Sequence, residues 1–254
     1  MSVLRVLQLF IVSLFIAGCS KTDLAKSAAQ QQDEAANADP NIVNILFIGN
    51  SLTFFNSGID FHVQQFYTHG TQSGRTIEID ERTLPGYTLQ QHLGNPGTQT
   101  KLNSKVWDIV VLQENGHHAT QKPKEALEAM KSFQARFEGT PTRVFLFMTW
   151  AYEGEPEMTK QLQKLYYQAA SETGFPVLPV GLGWRDVTAA NPGFDLLSSD
   201  GVHPSLQGTY FSAAIIFEIL SNQKATTNEY QPQMPESQAI YLKGAASQTV
   251  ADYY

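Results

Sequence analysis

Ile42-Val-Asn-Ile-Leu-Phe-Ile-Gly-Asn-Ser51 is the stretch on which the fold turns. From Ile42 to Ile48 it is apolar except for Asn44, and it stops at the turn residues Gly49-Asn50-Ser51. A run this short, rich in β-branched residues and closed by turn formers, reads as a buried strand. The same signature returns at Asp108-Ile-Val-Val-Leu-Gln113, at Arg143 to Trp150 and, shortened, at Pro176 to Val180. Thr76 to Leu84 alternates apolar with polar and ends at Pro85-Gly86, as a half-exposed strand does. Between the strands lie helical patterns: Gly58 to His69, Leu89 to Leu93, Pro123 to Phe137, Glu155 to Thr173 and Pro204 to Leu220. In Pro123 to Phe137 the apolar residues Leu127, Met130, Phe133 and Phe137 keep helical spacing. Strands alternating with helices predict an α/β fold, a parallel five-stranded sheet covered by helices on both faces. One α/β domain spans 42–222 on this reading. The tail, 223–254, is polar and Ala-rich, and it is expected to be peripheral with a surface helix around Pro235 to Ala246.

Composition narrows the function. A formal charge of −7 argues against a phosphate-binding surface, so nucleic acid is not an expected partner. The single cysteine excludes an internal disulfide and a thiolate zinc cluster. That residue, Cys19, closes the only strongly apolar N-terminal run, Val6 to Ala17. The run has about 12 residues, short of the roughly 20 that a spanning helix needs, but it suits the h-region of a signal behind Arg5. Ile16-Ala17-Gly18-Cys19-Ser20 resembles the bacterial lipoprotein signal, which implies a signal peptide over 1–18 and lipid attachment at Cys19. Residues 19–41, Ala- and Gln-rich and without apolar periodicity, would then be a flexible tether. Ser20, following the cysteine, is similar to lipoproteins passed to the outer membrane. The expected location is the bacterial envelope, on the periplasmic or surface side.

In a doubly wound sheet, sites form beyond the carboxyl ends of the strands. Ser51 follows the first strand, Gly86 the second and Gln113-Glu114-Asn115 the third, while Asp200-Gly-Val-His203-Pro204 immediately precedes the last long helix. Ser Oγ is a poor nucleophile until a base takes its proton, and His203 is the natural base. Asp200, three residues earlier, can accept from the other ring nitrogen and stabilise the imidazolium. Pro204 is expected as the first residue of the following helix. His117-His118 with Asp200 and His203 could be drawn as a metal site, but adjacent side chains in an extended segment point to opposite sides. No metal and no cofactor is expected; His117 or His118 would instead line a substrate pocket. Trp150 and Trp184, near the ends of the fourth and fifth strands, are candidates to stack on a sugar.

Ile45-Leu-Phe-Ile-Gly-Asn-Ser-Leu-Thr53 resembles the first sequence block of the SGNH hydrolases, the GDSL-type esterases, and Ser-Asp200-Gly-Val-His-Pro-Ser205 resembles their last. The resemblance runs from about Ile42 to Leu220. It implies a flavodoxin-like three-layer α/β/α sandwich and hydrolysis of acyl esters through Ser51, His203 and Asp200. No Gly-x-Ser-x-Gly surrounds Ser51, which argues against the rival α/β-hydrolase fold. The backbone N–H groups of Ser51 and Gly86 are the expected oxyanion donors. The family's third donor is an Asn in a Gly-x-Asn block that is missing here. Gln113, nearest the strand end, is the first choice for it and Asn115 the second. A further departure is Asn50, where the common motif has Asp as a structural partner. The combined expectation is a serine esterase whose substrates are small-molecule or glycan esters, O-acetyl groups on carbohydrates among them. The alternatives are a lipase or general carboxylesterase, and a glycan-binding lipoprotein on the same fold without catalysis.

Overall fold

A computed structural model describes residues 39–70 and 74–254. The signal peptide 1–18, Cys19 and nearly all of the tether 19–41 lie outside the described residues. Five strands, β1 (Ile42–Gly49), β2 (Thr76–Thr83), β3 (Ile109–Leu112), β4 (Arg143–Phe147) and β5 (Val177–Leu178), form one sheet in the order β2-β1-β3-β4-β5. Every pairing is parallel, with Ile45 opposite Ile109 and Val110 opposite Val144. β3 is buried along its whole length, and so is β1 from Ile45 on, as expected of strands covered on both faces. Like β5, β2 is an edge strand. Its exposed Glu78 and its Asp80 pair with Lys105 and Lys101, and charge on an edge discourages pairing with another chain.

The helices are α1 (Ser51–Phe54), α2 (Ile59–His69), α3 (Leu89–Gly94), α4 (Pro96–Leu102), α5 (Gly116–Gln121), α6 (Pro123–Phe137), α7 (Met158–Thr173), α8 (Val180–Ala190), α9 (Leu206–Ser221) and α10 (Glu236–Tyr253). On one side α2 and α10 pack against α9; on the other α6 packs against α3 and α7. The expected three-layer α/β/α sandwich is therefore the architecture observed. The strand order reverses direction between β1 and β3, and a crevice opens at such a switch point beyond the carboxyl ends. Ser51 follows one of those two strands and Gln113 the other.

Several elements differ from the sequence reading. β4 stops at Phe147, and β5 has two residues because the chain turns from it directly into α8. That helix is hidden in the sequence by Gly181 and Gly183, which weaken a helix in isolation. A Cβ on Gly181 would lie 1.9 Å from the Thr149 carbonyl oxygen, so close helix–strand packing requires the glycine. His117 and His118 lie on α5 rather than in an extended segment. Pro204 precedes α9 instead of opening it: it bridges to Leu197, and the Ser205 side chain caps α9 through the Gly208 N–H. The tail is not peripheral along its length. α10 runs well past Ala246 and buries Ala239, Leu242, Ala246 and Thr249, because α9 is apolar on all sides and needs a cover.

Candidate active site

β1 ends in a sharp polar turn that presents Ser51 as the first residue of α1. Asn50, 1% exposed, caps this helix by accepting from the Leu52 N–H at 3.1 Å. Its amide donates to the Tyr87 carbonyl oxygen at 2.9 Å. An Asp could cap but could not donate, which accounts for Asn at this position. Gln113, also 1% exposed, locks the turn from β3. Its Oε1 accepts from the Asn50 N–H at 2.8 Å and from the Thr53 hydroxyl at 3.0 Å, and its Nε2 donates to the Glu114 carbonyl oxygen at 2.6 Å.

His203 arrives on the loop before α9. Gly201 turns this loop at φ 69°, and its ends are tied by Ser198 N–H to His203 O and Ser205 N–H to Leu196 O, both 2.8 Å. Asp200 Oδ1 accepts from the Ser198 hydroxyl and from the Val202 and His203 N–H groups at 2.8–2.9 Å. Its Oδ2 accepts from His203 Nδ1 at 2.6 Å. The His203 bond first, and then these N–H donors, hold the Asp200 carboxyl far below its ordinary range. An ionised carboxylate only accepts, so Nδ1 carries the ring proton and Nε2 presents its lone pair. Nε2 lies 2.8 Å from Ser51 Oγ, completing a Ser–His–Asp line.

The loop is braced on two sides. Phe55 stacks on the imidazole at 4.2 Å between centroids and 13° between planes. From the β4 end, Trp150 Nε1 donates to Val202 O at 3.0 Å and the Glu153 N–H to Gly201 O at 2.8 Å. Sequence reasoning missed Phe55. Its one signal is its place four residues after Ser51, one helical turn on.

Gly86 sits at φ 69° in the Leu84–Tyr87 turn, a conformation that favours glycine. No Cβ clash would arise there, so the residue is set by backbone shape. The N–H groups of Ser51 and Gly86 have no acceptor among the described residues. Asn115 Oδ1 accepts from the His118 N–H at 3.0 Å and caps α5, while Nδ2 donates to Gly86 O at 3.2 Å. That leaves a second amide N–H on Asn115 without an acceptor among the described residues. Gln113 Nε2 likewise makes one bond, but Gln113 is 1% exposed, with its Oε1 holding the Ser51 turn, whereas Asn115 is only half-buried. Of the two expected candidates for third donor, Gln113 and Asn115, the placement favours the second choice, Asn115. The Gly-x-Asn spacing could have found it, with Gln113 standing where that pattern has Gly.

Beneath these donors lies Glu114, fully buried. Its carboxylate accepts from the Asn115 N–H at 2.6 Å and from the Leu89 N–H at 3.2 Å. It is 3.5 Å from His118 Nδ1, and it is the main reason that the His118 pKa lies above the ordinary value. His117 points elsewhere, to Glu155 at 3.2 Å and edge-on to Tyr152. Among the described residues no group of three or more His, Cys, Asp or Glu is placed to hold a metal ion. Trp150 and Trp184 stack on each other at 4.0 Å, and are 1% and 4% exposed. The Trp184 N–H is taken by Ser212 Oγ at 3.0 Å. They back a cleft of about 760 Å³ whose rim includes Tyr152, Glu153, Glu155, Phe194 and Ser198. The cleft adjoins the Asp200 turn.

This architecture is the SGNH hydrolase fold, a three-layer α/β class with its candidate nucleophile just after β1. Several solved structures share it. A DUF4886 family protein from Bacteroides uniformis aligns with a TM-score of 0.70 at 18% identity, over 83% of this chain and 95% of that one. A candidate SGNH hydrolase from Slackia heliotrinireducens gives 0.60 at 25% identity, over 71% and 100%. An acetylxylan esterase from Geobacillus stearothermophilus, solved as a catalytic mutant, gives 0.56 at 16% identity, over 70% and 93%. No family model matches the sequence, and no curated protein does.

Proposed function

We propose that this chain is a serine esterase that hydrolyses acyl esters through a covalent acyl-enzyme. One observation carries the reading: Ser51 Oγ, His203 and Asp200 stand in line at 2.8 and 2.6 Å, beside backbone N–H groups with no acceptor among the described residues. As Ser51 Oγ attacks the ester carbonyl carbon, its proton passes to His203 Nε2. Asp200 stabilises the imidazolium that results. The negative charge on the former carbonyl oxygen is met by the N–H groups of Ser51 and Gly86 and by Asn115 Nδ2, each worth about 2.7–4 kcal/mol in such sites. Collapse expels the alcohol, which takes the proton from His203. Water, deprotonated by His203, then attacks the acyl carbon and frees Ser51.

The preferred substrate is an acyl group, such as O-acetyl, on a carbohydrate. Support comes from the cleft beside the Asp200 turn, whose mix of carboxylates, hydroxyls and aromatic side chains suits a polyhydroxylated ligand, and from the fold shared with an acetylxylan esterase. We place the enzyme in the bacterial envelope, held by lipid on Cys19. Sequence alone supports that placement.

Hydrolysis of a short aryl acetate and release of acetate from acetylated xylo-oligosaccharide test the reading. The wild type should turn over both, and Ser51→Ala neither. Equal rates for the two proteins would defeat the mechanism. Turnover of the aryl ester alone would keep the esterase and discard the carbohydrate.

A further inference from the structure

Ser51 and His203 are 152 residues apart in sequence, yet their contact must hold to a few tenths of an ångström for proton transfer to work. The hydrogen bonds described above fix each residue's own loop, from within it or from the strands behind it. Apart from the Ser51–His203 contact itself, none of them ties one loop to the other. Asn56 does. Its side-chain amide carries two N–H groups, and both reach the segment that bears the base. Nδ2 donates to the carbonyl oxygen of Pro204, next to His203, at 2.7 Å, and to Thr209 Oγ1 at 2.9 Å. Thr209 spends its own proton on Ser205 O at 3.0 Å, so its oxygen is free to accept. Asn56 therefore grips both the approach to α9 and its first turn, immediately after the Phe55 that stacks on the imidazole.

Its backbone is held in an uncommon shape. Asn56, Ser57 and Gly58 run consecutively at φ 53°, 73° and 98°. For Ser57 a left-handed conformation costs roughly 1–2 kcal/mol, while Asn adopts it at less cost, and such a turn persists where the surroundings enforce it. The enforcing group is buried behind the turn. His62 Nε2 donates to Asn56 O at 3.1 Å, and Tyr230 OH donates to His62 Nδ1 at 2.7 Å. A carbonyl oxygen only accepts, so Nε2 carries the proton and Nδ1 the lone pair, and one neutral tautomer serves both bonds. Burial favours that neutral ring by lowering the His62 pKa. Tyr230 is fixed in turn: its N–H reaches Asn228 Oδ1 at 2.9 Å, and its carbonyl accepts from Tyr210 OH at 2.8 Å. Asn228 is held by Lys243 of α10, whose Nζ donates to its carbonyl oxygen at 2.7 Å.

We propose that Asn56 is a positioning residue that sets the Ser51–His203 contact, and that His62 and Tyr230 hold it there. The C-terminal segment then serves catalysis through a chain of hydrogen bonds, Tyr230 to His62 to Asn56 to Pro204, as well as covering the core. The kinetic side of this inference rests on the esterase reading.

Asn56→Gly in the full chain is the direct test, since glycine keeps the left-handed backbone and removes the side chain that carries the two N–H groups. Its kcat on a short aryl acetate should fall by about 10- to 100-fold with KM within about 2-fold, and fluorophosphonate labelling should slow by a similar factor. Tyr230→Phe should lose roughly 2- to 10-fold, and should add little to Asn56→Gly if both act along one chain. A merely structural role would lower the melting temperature and leave kcat and the labelling rate of the folded protein unchanged; that result overturns the proposal. If Asn56→Gly does not fold, Thr209→Val removes one of the two acceptors while keeping the side-chain shape, with the same expectation in kcat. The imidazole NMR signals of His203, assigned by their loss in His203→Gln, provide a readout that needs no substrate. They should shift or broaden in Asn56→Gly, and unchanged signals count against the proposal. A wild type that takes no probe and hydrolyses no ester would defeat the esterase reading, and the NMR arm would still decide this one.

Discussion

The two halves of the candidate site are built in opposite ways. The Ser51 half is buried and saturated: Asn50, Thr53, Gln113 and Glu114 lie out of solvent, and each is tied to backbone or to another side chain. The His203 half lies at the surface, with side-chain exposures of 24% for His203 and 47% for Asp200, and is shaped by a short loop and its braces. The difference teaches where stability and activity separate. On the buried side a lost bond strands a partner away from water and costs stability; on the exposed side water replaces it, and the cost falls on geometry.

The largest expected effect is on chemistry alone. Ser51→Ala should lower kcat by at least about 10⁴-fold with little change in melting temperature, because among the described residues Ser51 Oγ bonds only to His203. Asp200→Asn should lose about 10²–10⁴-fold, because an amide that donates to His203 Nδ1 selects the wrong tautomer. Asp200 is held well below its ordinary pKa, so the wild type keeps this carboxylate ionised throughout the usual acid range. Asp200 should therefore add no protonation step to the acid side of the kcat/KM profile, and an acid limb of slope two would contradict this.

The next pair divides the halves of the oxyanion assignment. Asn115→Ala should lower kcat by about 10²–10³-fold. Gln113→Ala should instead destabilise the fold by about 1–3 kcal/mol, because the Asn50 N–H would be left buried without its acceptor. If urea titration finds Gln113→Ala as stable as wild type while its kcat collapses, the assignment returns to Gln113.

How much of this was legible in the sequence follows the same division. Ser51, Asp200 and His203 could be read because their logic is local: a strand end, and two residues three apart in one turn. β1, β3 and the long helices were legible because burial on both faces leaves unbroken apolar runs, and burial on one leaves periodic ones. α8 was not, since Gly181 and Gly183 weaken the local signal for the sake of a contact with Thr149. The extent of α10 was obscured by its small and polar residues, which acquire meaning only against α9. Phe55, Asn56 and Tyr230 act on partners far away in sequence, and no local pattern marks such a contact.

Smaller effects sharpen the comparison. Phe55→Ala removes a stack on the exposed half, and should cost about 2- to 10-fold in kcat, roughly 0.5–1.5 kcal/mol, with little loss of stability. On the buried half, Asp60 in the first turn of α2 has its pKa raised from 3.8 to about 6, mainly by burial, with Glu81 and Asp80 adding repulsion. The folded state binds this proton more tightly than the unfolded state, so the associated stability is present below pH 3.8 and lost as pH rises through about 6. Asp60→Asn should then stabilise the protein by about 1–3 kcal/mol at pH 8 and by little at pH 4. Equal melting temperatures for the two proteins at pH 8 would show that Asp60 is not strained by its charge.

The central claim is that one buried turn presents Ser51 as a nucleophile activated from the exposed loop. Mass mapping of the adduct formed with a fluorophosphonate tests it most directly. The account predicts one modified peptide, carrying the label on Ser51, formed rapidly by the wild type and at least about 10²-fold more slowly by His203→Gln. A label on another residue, or equal labelling of wild type and His203→Gln at Ser51, would contradict it.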